Sequence, residues 1–295
     1  MRLSVTQRCD LACSHCHHEG QTPSSEEMTP AEIERIVRVI ARIGVRKVKL
    51  TGGEPLLRDD ICEIVSSISP LVSEVSLTTN GSRLSEFAGQ LKRAGLRRVN
   101  VSLHTLDGER YARLCGVDIV DRAVEGISAS VKTGLSPVKV NMVVLKGLNE
   151  HDIEPMIDFC SGAGAVLQLI EYMAKKEDEN GCQFAERFYS LRDTEAILAR
   201  RASGFSMNEL HRRRRYHIEN NGSQVTVEVV RPMHNTEFCA NCTRIRMSSD
   251  GKVKPCLMDK SGAVDLLTPL RQGARDADLA ELYLKCVANR RPYWS

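Results

Sequence analysis

The sequence has few aromatic residues and almost no excess of charge. Phe, Trp and Tyr make up 4% of its 295 residues, and Lys and Arg exceed Asp and Glu by only three. Single-stranded nucleic acids are bound by stacking on aromatic side chains, and duplexes by strongly basic surfaces. The composition therefore argues against a nucleic-acid-binding protein.

Long apolar runs are also missing, and nothing reads as a signal peptide, so we expect a cytoplasmic protein with no membrane partner. Thiols stay reduced in the cytoplasm, so the eleven cysteines indicate metal or redox use rather than disulfides. Six of them form two tight groups. We interpret the five scattered ones as small buried apolar side chains: Cys62, Cys115, Cys160, Cys182 and Cys286.

The first cysteine group follows a short strand-like run. Cys9, Cys13 and Cys16 are separated by three and then two residues. A structural zinc site usually takes four ligands from two short hooks, and no second hook is nearby. The spacing therefore favours an iron–sulfur cubane with one iron left open. The alternative is a zinc site that takes its fourth ligand from a neighbouring histidine: His15, His17 or His18.

Strand-like and helix-like segments alternate about six times up to residue 170. Such alternation predicts parallel strands joined by crossover helices, and hence an α/β fold with a partial (β/α)6 barrel of the TIM type. The site of a barrel lies at the carboxyl ends of its strands. The pattern changes after Met173, so we divide the chain into a core, 1–174, and a C-terminal extension, 175–295.

The extension contains four consecutive arginines and the second cysteine group. Arg212 to Arg215 could bind phosphate, but we interpret them as a solvated basic turn. The second cysteine group comprises Cys239, Cys242 and Cys256, and a zinc site completed by Cys286 or His234 is the alternative to an iron–sulfur cluster. Arg244 and Arg246 are two residues apart, so on a strand they would face the same way. If the second cluster has an open iron, these two arginines beside it would form a binding site for an anionic ligand that contains a ring.

A glycine pair follows the second predicted strand, in the stretch TGGEP from Thr51 to Pro55. Two glycines let the backbone approach a ligand closely, and Glu54 could accept a hydrogen bond from an amine, although a plain tight turn would explain the stretch as well. Together with the first cysteine group, it resembles the radical S-adenosylmethionine superfamily. The resemblance implies that the three cysteines hold a 4Fe-4S cluster, and that S-adenosylmethionine binds the open iron and yields a 5′-deoxyadenosyl radical. His15 stands where the superfamily usually has Tyr or Phe.

Over nearly its whole length the sequence also resembles the GTP 3′,8-cyclase family of molybdenum cofactor biosynthesis. The stretches that carry this resemblance include TGGEPLLR, LTTNGSRL, AGLRRVNVSLHTLD, VKVNMVVLKGLNE and FCANCTRIRMSSDGKVKPCLMD. It implies conversion of GTP to 3′,8-cyclo-7,8-dihydro-GTP, a second 4Fe-4S cluster on Cys239, Cys242 and Cys256, and a cyclic pyranopterin monophosphate synthase that takes the product.

The resemblance also implies roles for matching positions. Four residues would contact S-adenosylmethionine: His15, Gly53, Ser102 and Met173. Six would bind GTP: Arg2, Lys49, Thr78, Lys139, Arg244 and Arg246. Independently of the resemblance, cations on several barrel strands at once are what a buried triphosphate requires.

Two positions depart from the family pattern. Lys49 replaces an arginine, so the residue keeps its charge but loses the bidentate fork. RRPYWS stands where relatives have two terminal glycines, so either a different tail serves, with Arg290 or Arg291, or the function has shifted. The nearest rival is another radical enzyme with one auxiliary cluster, of the peptide- or haem-maturing type. The non-enzymatic alternative is a binding module whose cysteine groups hold structural zinc, and such a protein would be colourless.

Overall fold

A computed structural model describes residues 1–259 and 261–294, with Gln183 described by its backbone alone. Six parallel strands lie side by side in chain order. They are β1 (Arg2–Ser4), β2 (Lys47–Thr51), β3 (Glu74–Thr79), β4 (Arg98–Ser102), β5 (Val138–Val144) and β6 (Val166–Glu171). Helices fill the connections: α1 (Pro30–Arg42), α2 (Ile61–Ile68), α3 (Leu84–Arg93), the pair α4 (Gly108–Cys115) and α5 (Val120–Lys132), and α6 (Ile153–Ala163). The predicted partial barrel is confirmed.

Helix α1 shows how local sequence sets these elements. The Thr29 hydroxyl accepts a hydrogen bond from the Glu32 amide, and the Glu32 carboxylate accepts one from the Thr29 amide. This capping box, with Pro30 at the first helical position, satisfies backbone donors that the helix start would leave free. The helix buries the apolar face that its periodicity predicts: Ile33, Ile36, Val37, Val39 and Ile40.

The C-terminal extension adds strands to both edges of the core. Beyond β6 lie β9 (Ser223–Val230), which is parallel to it, and then β8 (Arg213–Asn220) and β7 (Gly204–Asn208). Beside β1 lie β10 (Arg246–Met247), which is parallel to it, and then β11 (Lys252–Lys254) and β12 (Val264–Asp265). In the described residues the result is one sheet of twelve strands. The remaining helices are α7 (Cys182–Arg187), α8 (Arg192–Arg201), α9 (Thr236–Ala240), α10 (Leu267–Arg271) and α11 (Asp276–Ala288).

The arginine run is not a solvated turn, and that prediction was wrong. Arg213 begins β8 and is buried, and its guanidinium lies 2.9 Å from the Glu228 carboxylate and 3.2 Å from the Gln168 side-chain oxygen. Arg214, the next residue, is exposed. The two-residue period of a strand turns alternate side chains to opposite faces, so adjacent arginines have opposite surroundings.

Apolar side chains on the outer face of the sheet pack against the helices. Leu50, Leu77, Val99, Val140 and Leu167 are fully buried there. The other face carries the polar residues described below. Across residues 1–259 and 261–294, no helix combines the length and the apolar character that crossing a bilayer requires.

Candidate active site

The first cysteine group lies in the loop after β1. The Cys16 amide donates to the Cys13 carbonyl over 3.1 Å, which curls the loop, and the Cys16 sulfur accepts a hydrogen bond from the His18 amide. Burial raises the pKa of Cys9 to about 11 and raises that of Cys16, and the neighbouring Cys13 raises both further. All three thiols are free. Because the thiolate is the metal-binding form, a bound cation would supply the charge that the loop lacks.

A fourth cysteine lies against this group. Cys115, the last residue of α4, shares a side-chain hydrogen bond with Cys13. Backbone hydrogen bonds from Ala12 to Cys115 and from Ser14 to Leu114 tie the loop to the end of α4. The prediction that the scattered cysteines are buried is confirmed for Cys115, Cys160 and Cys286, but Cys62 is only partly buried, and the prediction was wrong for Cys182, which is exposed. No local pattern in the sequence indicates the contact between Cys115 and Cys13.

The glycine pair packs the end of β2 against the cysteine loop. The Gly53 amide donates to the Thr6 carbonyl over 2.8 Å, and the Glu54 amide donates to the Arg8 carbonyl over 2.7 Å. A Cβ atom on Gly53 would lie 2.1 Å from the Arg8 carbonyl oxygen. Only glycine therefore fits at this position, and its backbone remains exposed beside the cysteines.

Glu54 is not available to a ligand amine, contrary to the sequence-based expectation. Its carboxylate is fully buried and accepts hydrogen bonds from the Thr79 hydroxyl, the Asn80 amide and the Leu56 amide, at 2.7, 2.7 and 3.0 Å. Burial raises the pKa of Glu54 to about 7. Its role is to join the carboxyl ends of β2 and β3.

The other residues expected to contact S-adenosylmethionine lie at the same edge of the sheet. Ser102 ends β4, and Met173 follows β6 by two residues. His15 meets His104 edge to face, with ring centroids 4.4 Å apart and the two Nε2 atoms 3.1 Å apart. Burial lowers the pKa of His15 to about 4, so this ring is neutral near pH 7. It is therefore a planar group without charge beside the first cysteine group.

Cations line the inner face of the sheet. Arg2 on β1 is the register partner of both Arg246 on β10 and Lys49 on β2, so these three side chains stand in a row across neighbouring strands. The Lys49 ammonium donates to the Asn100 side chain over 2.7 Å, and Asn100 is the register partner of Thr78 and Lys139. Burial, followed by Arg98, Arg2, Arg244 and Lys139, lowers the pKa of Lys49 well below its ordinary value. The predicted GTP-binding residues are thus brought together.

Two carboxylates, the partly exposed Glu19 and the fully buried Glu228, partly neutralise this group. Glu19 pairs with Arg2 over 2.5 Å and also with Arg246. Glu228 pairs with Lys139, with Arg213 and, over 3.4 Å, with Arg215. Burial alone would raise the pKa of both groups, but the neighbouring cations lower each to about 2. The cations still outnumber these two carboxylates, and uncompensated buried charge is costly, so the arrangement favours a ligand with several negative charges.

The second cysteine group adjoins the same cations. The Cys242 amide donates to the Cys239 carbonyl over 3.2 Å, within α9 and the turn after it. Burial lowers the pKa of Arg246, and the nearby Cys242 and Cys256 oppose this effect. Cys242 likewise opposes the lowering of the pKa of Arg244 by burial. In the described ranges no three His, Cys, Asp or Glu side chains converge on the position of one metal ion. The ligands of a cubane bind separate corners, so both groups suit a cluster in number and donor type.

The two candidates for a fourth zinc ligand at the second group have other surroundings. The His234 ring lies 3.2 Å from the Glu179 carboxylate, and its centroid is 4.4 Å from that of Trp294. Cys286 is buried in α11, and burial raises its pKa to about 11.

Two protein families match the chain. The Radical SAM superfamily matches residues 3–160, and the family described as Molybdenum Cofactor Synthesis C matches residues 165–295. The chain is 48% identical over 295 residues to a probable GTP 3′,8-cyclase of Pyrococcus horikoshii, covering 100% of this chain and 95% of the relative. It is 49% identical to the probable GTP 3′,8-cyclase of Thermococcus kodakarensis, covering 100% of this chain and 96% of the relative.

Solved structures share the fold at low sequence identity. Streptococcus suis SuiB bound to precursor peptide SuiA superposes with a TM-score of 0.66 at 20% identity. The superposition covers 99% of this chain and 65% of that chain. This likeness concerns the fold alone.

Proposed function

The chain belongs to the Radical SAM superfamily and to the GTP 3′,8-cyclase family, and from that premise we propose how its residues divide the work. It converts GTP to (8S)-3′,8-cyclo-7,8-dihydroguanosine 5′-triphosphate in molybdenum cofactor biosynthesis. Its inward-facing cations bind the triphosphate, and its second cysteine group holds a second 4Fe-4S cluster beside the guanine.

The first cysteine group holds the catalytic cluster. With S-adenosylmethionine bound, that cluster would supply the radical chemistry that removes a hydrogen atom from C3′ of GTP. The chain's own contribution is placement. Gly53, with its exposed backbone, and Ser102 and Met173 at the strand ends would bind S-adenosylmethionine, and His15 would add a planar ring without charge to that site.

The excess of cations on one face of the sheet, buried at Lys139 and Arg246 and partly buried at Arg2 and Lys49, is the observation that carries the proposal. Lys49, Lys139 and Arg2 lie on three different core strands and share one inner face with Arg246. A surface lysine would gain nothing from such a position, whereas a triphosphate that bridges the strands would be fixed at several points. Arg244 and Arg246 interact electrostatically both with Arg2 and with Cys242, so the cations that attract phosphate extend as far as the second cysteine group. Binding the triphosphate and the base at neighbouring points restricts the ribose, which favours ring closure within one molecule.

Three further parts of the proposal come from the family. The product passes to a cyclic pyranopterin monophosphate synthase. The extension from residue 175 onwards forms the unit that carries the second cluster. The cytoplasm suits the protein, because its reducing environment keeps the cluster-binding thiols free.

The test is an anaerobic assay of the reconstituted protein with S-adenosylmethionine, dithionite and GTP. We expect a cyclised product and 5′-deoxyadenosine formation that depends on GTP. Lys49→Met should raise the KM for GTP about tenfold or more, as expected for loss of a charged contact to phosphate. The matched control is Lys47→Met, on the exposed start of the same strand. Formation of 5′-deoxyadenosine regardless of GTP, without cyclised product, would instead favour a radical enzyme acting on another substrate.

A further inference from the structure

His211 is held in an unusual conformation beside the second cysteine group. It is 3% exposed and lies in the short turn Leu210–Arg212 before β8. Its φ angle is 65°, in the left-handed region that residues with a Cβ atom rarely adopt. The His211 amide donates to the Asn241 carbonyl over 3.0 Å, and the ring stacks on Phe238 with centroids 3.8 Å apart. The His211 backbone is therefore tied to the segment between Cys239 and Cys242, and its ring packs on Phe238, just before that segment.

The His211 ring has no hydrogen-bond partner in the described residues. Both Nδ1 and Nε2 are buried and unpaired. A neutral imidazole offers one donor and one acceptor, and leaving them unpaired away from water costs free energy. By contrast, His217 on β8 uses both nitrogens, contacting the Ser206 hydroxyl over 3.1 Å and the Thr226 hydroxyl over 3.2 Å. A buried polar group without partners indicates a binding site whose ligand would complete it.

The surroundings of the ring favour an anion, since the Arg213 guanidinium donates to the carbonyl of Leu210, the residue before His211, over 3.3 Å. Burial lowers the pKa of His211 to about 2, and Arg244, Arg213, Arg246 and Arg290 lower it further in that order. The Nε atom of Arg290 is likewise buried without a hydrogen-bond partner among the described residues. A neutral imidazole among guanidinium groups can donate one N–H to an anionic oxygen that the arginines attract.

We propose that His211 is a further GTP-binding residue whose ring N–H donates to a phosphate oxygen of the triphosphate, beside Arg213 and Arg244. The assignment rests on the function proposed above. It also explains why the chain retains strain and unpaired nitrogens at this position. A ring that served only to pack on Phe238 would need no nitrogen.

The decisive variant is His211→Phe, which keeps the ring and its stacking but removes both nitrogens. Equilibrium dialysis of the reconstituted protein, without reductant or S-adenosylmethionine, would measure the Kd values of labelled GTP and guanosine. We expect His211→Phe to weaken GTP binding about tenfold or more and to leave guanosine binding unchanged. Its melting temperature should change little, because removal of the unpaired polar atoms is offset by the poorer fit of Phe to the positive φ at this position.

His217→Phe is the matched control, with the opposite expected pattern. It should lower the melting temperature, because two hydrogen bonds are lost, and leave the Kd for GTP unchanged. His211→Asn provides a rescue, since Asn restores a donor and tolerates a positive φ, so its GTP affinity should lie between those of wild type and His211→Phe. If His211→Phe does not fold, His211→Asn compared with His211→Leu gives the same contrast.

Three results would overturn the assignment. A Kd for GTP within twofold of wild type would show that the ring makes no contact with GTP, while the proposed function would stand. An equal loss of affinity for GTP and guanosine would show that the ring does not bind phosphate. Wild-type protein that does not bind GTP would overturn the proposed function together with this inference.

Discussion

Replacing Glu228 with Gln should destabilise the protein strongly near neutral pH. Glu228 is fully buried and faces Lys139, Arg213 and Arg215. These cations, against the opposing effect of burial, lower its pKa from an ordinary 4.5 to about 2. A carboxyl group with that difference between the unfolded and folded chain contributes about 3 kcal/mol of stability. Breaking a buried ion pair by removing one partner costs about 3–5 kcal/mol, which agrees in size.

The pH dependence of this loss has a defined sign. Because the folded pKa is lowered, the stabilisation is present above pH 4.5 and disappears as the pH falls towards about 2. The difference in unfolding free energy between wild type and Glu228→Gln should therefore be constant from about pH 5 to 7 and shrink in acid.

Anaerobic urea denaturation of the reconstituted protein would measure this difference. Glu219→Gln, at an exposed position on β8, is the control and should change the unfolding free energy by less than about 0.5 kcal/mol. The reasoning is refuted if Glu228→Gln behaves like the control, or if its deficit grows as the pH falls.

Three further substitutions test other parts of the site. Gly53→Ala should lower the melting temperature by several degrees, because its Cβ atom would lie 2.1 Å from the Arg8 carbonyl oxygen. Gly162→Ala is the control and should not lower it, because the space around its Cβ atom is open. Equal effects would contradict the steric argument. Glu19→Gln should lower the melting temperature more without GTP than with it, because the triphosphate would replace the negative charge lost beside Arg2 and Arg246. Glu26→Gln, at an exposed position, is the control. A decrease in melting temperature that GTP does not reduce would contradict the model of charge compensation. Cys242→Ser should reduce the iron content from about eight to about four atoms per chain, whereas loss of all iron would indicate that the second cysteine group does not hold a cluster of its own.

Much of the core could be predicted because its signals are local. The apolar period of α1 and the capping box at Thr29 identify that helix without tertiary information. The alternating strand from Gln224 to Val230 was also predictable, but its parallel pairing with β6 was not. The same is true of β10 beside β1, because pairing across some 240 residues leaves no local trace. The joining of both edges of the core to the extension is therefore visible only in the structure.

The site divides in the same way. The two cysteine groups and the paired arginines are close in sequence, so spacing alone predicts them. Glu54 and Arg213 were misjudged because their burial depends on strands distant in sequence. Glu19, Glu228 and His211 were missed because nothing adjacent to them indicates that they face the same cations. Motif resemblance identifies residues that families share, whereas the charge balance around them has to be read from the fold.

The most direct test of the central claim is mass spectrometry of the products formed anaerobically from GTP carrying deuterium at C3′. The account predicts that one deuterium appears in 5′-deoxyadenosine and that the cyclised product lacks it. Unlabelled 5′-deoxyadenosine alongside intact, labelled GTP would contradict the account, because GTP would then not be the molecule held for reaction.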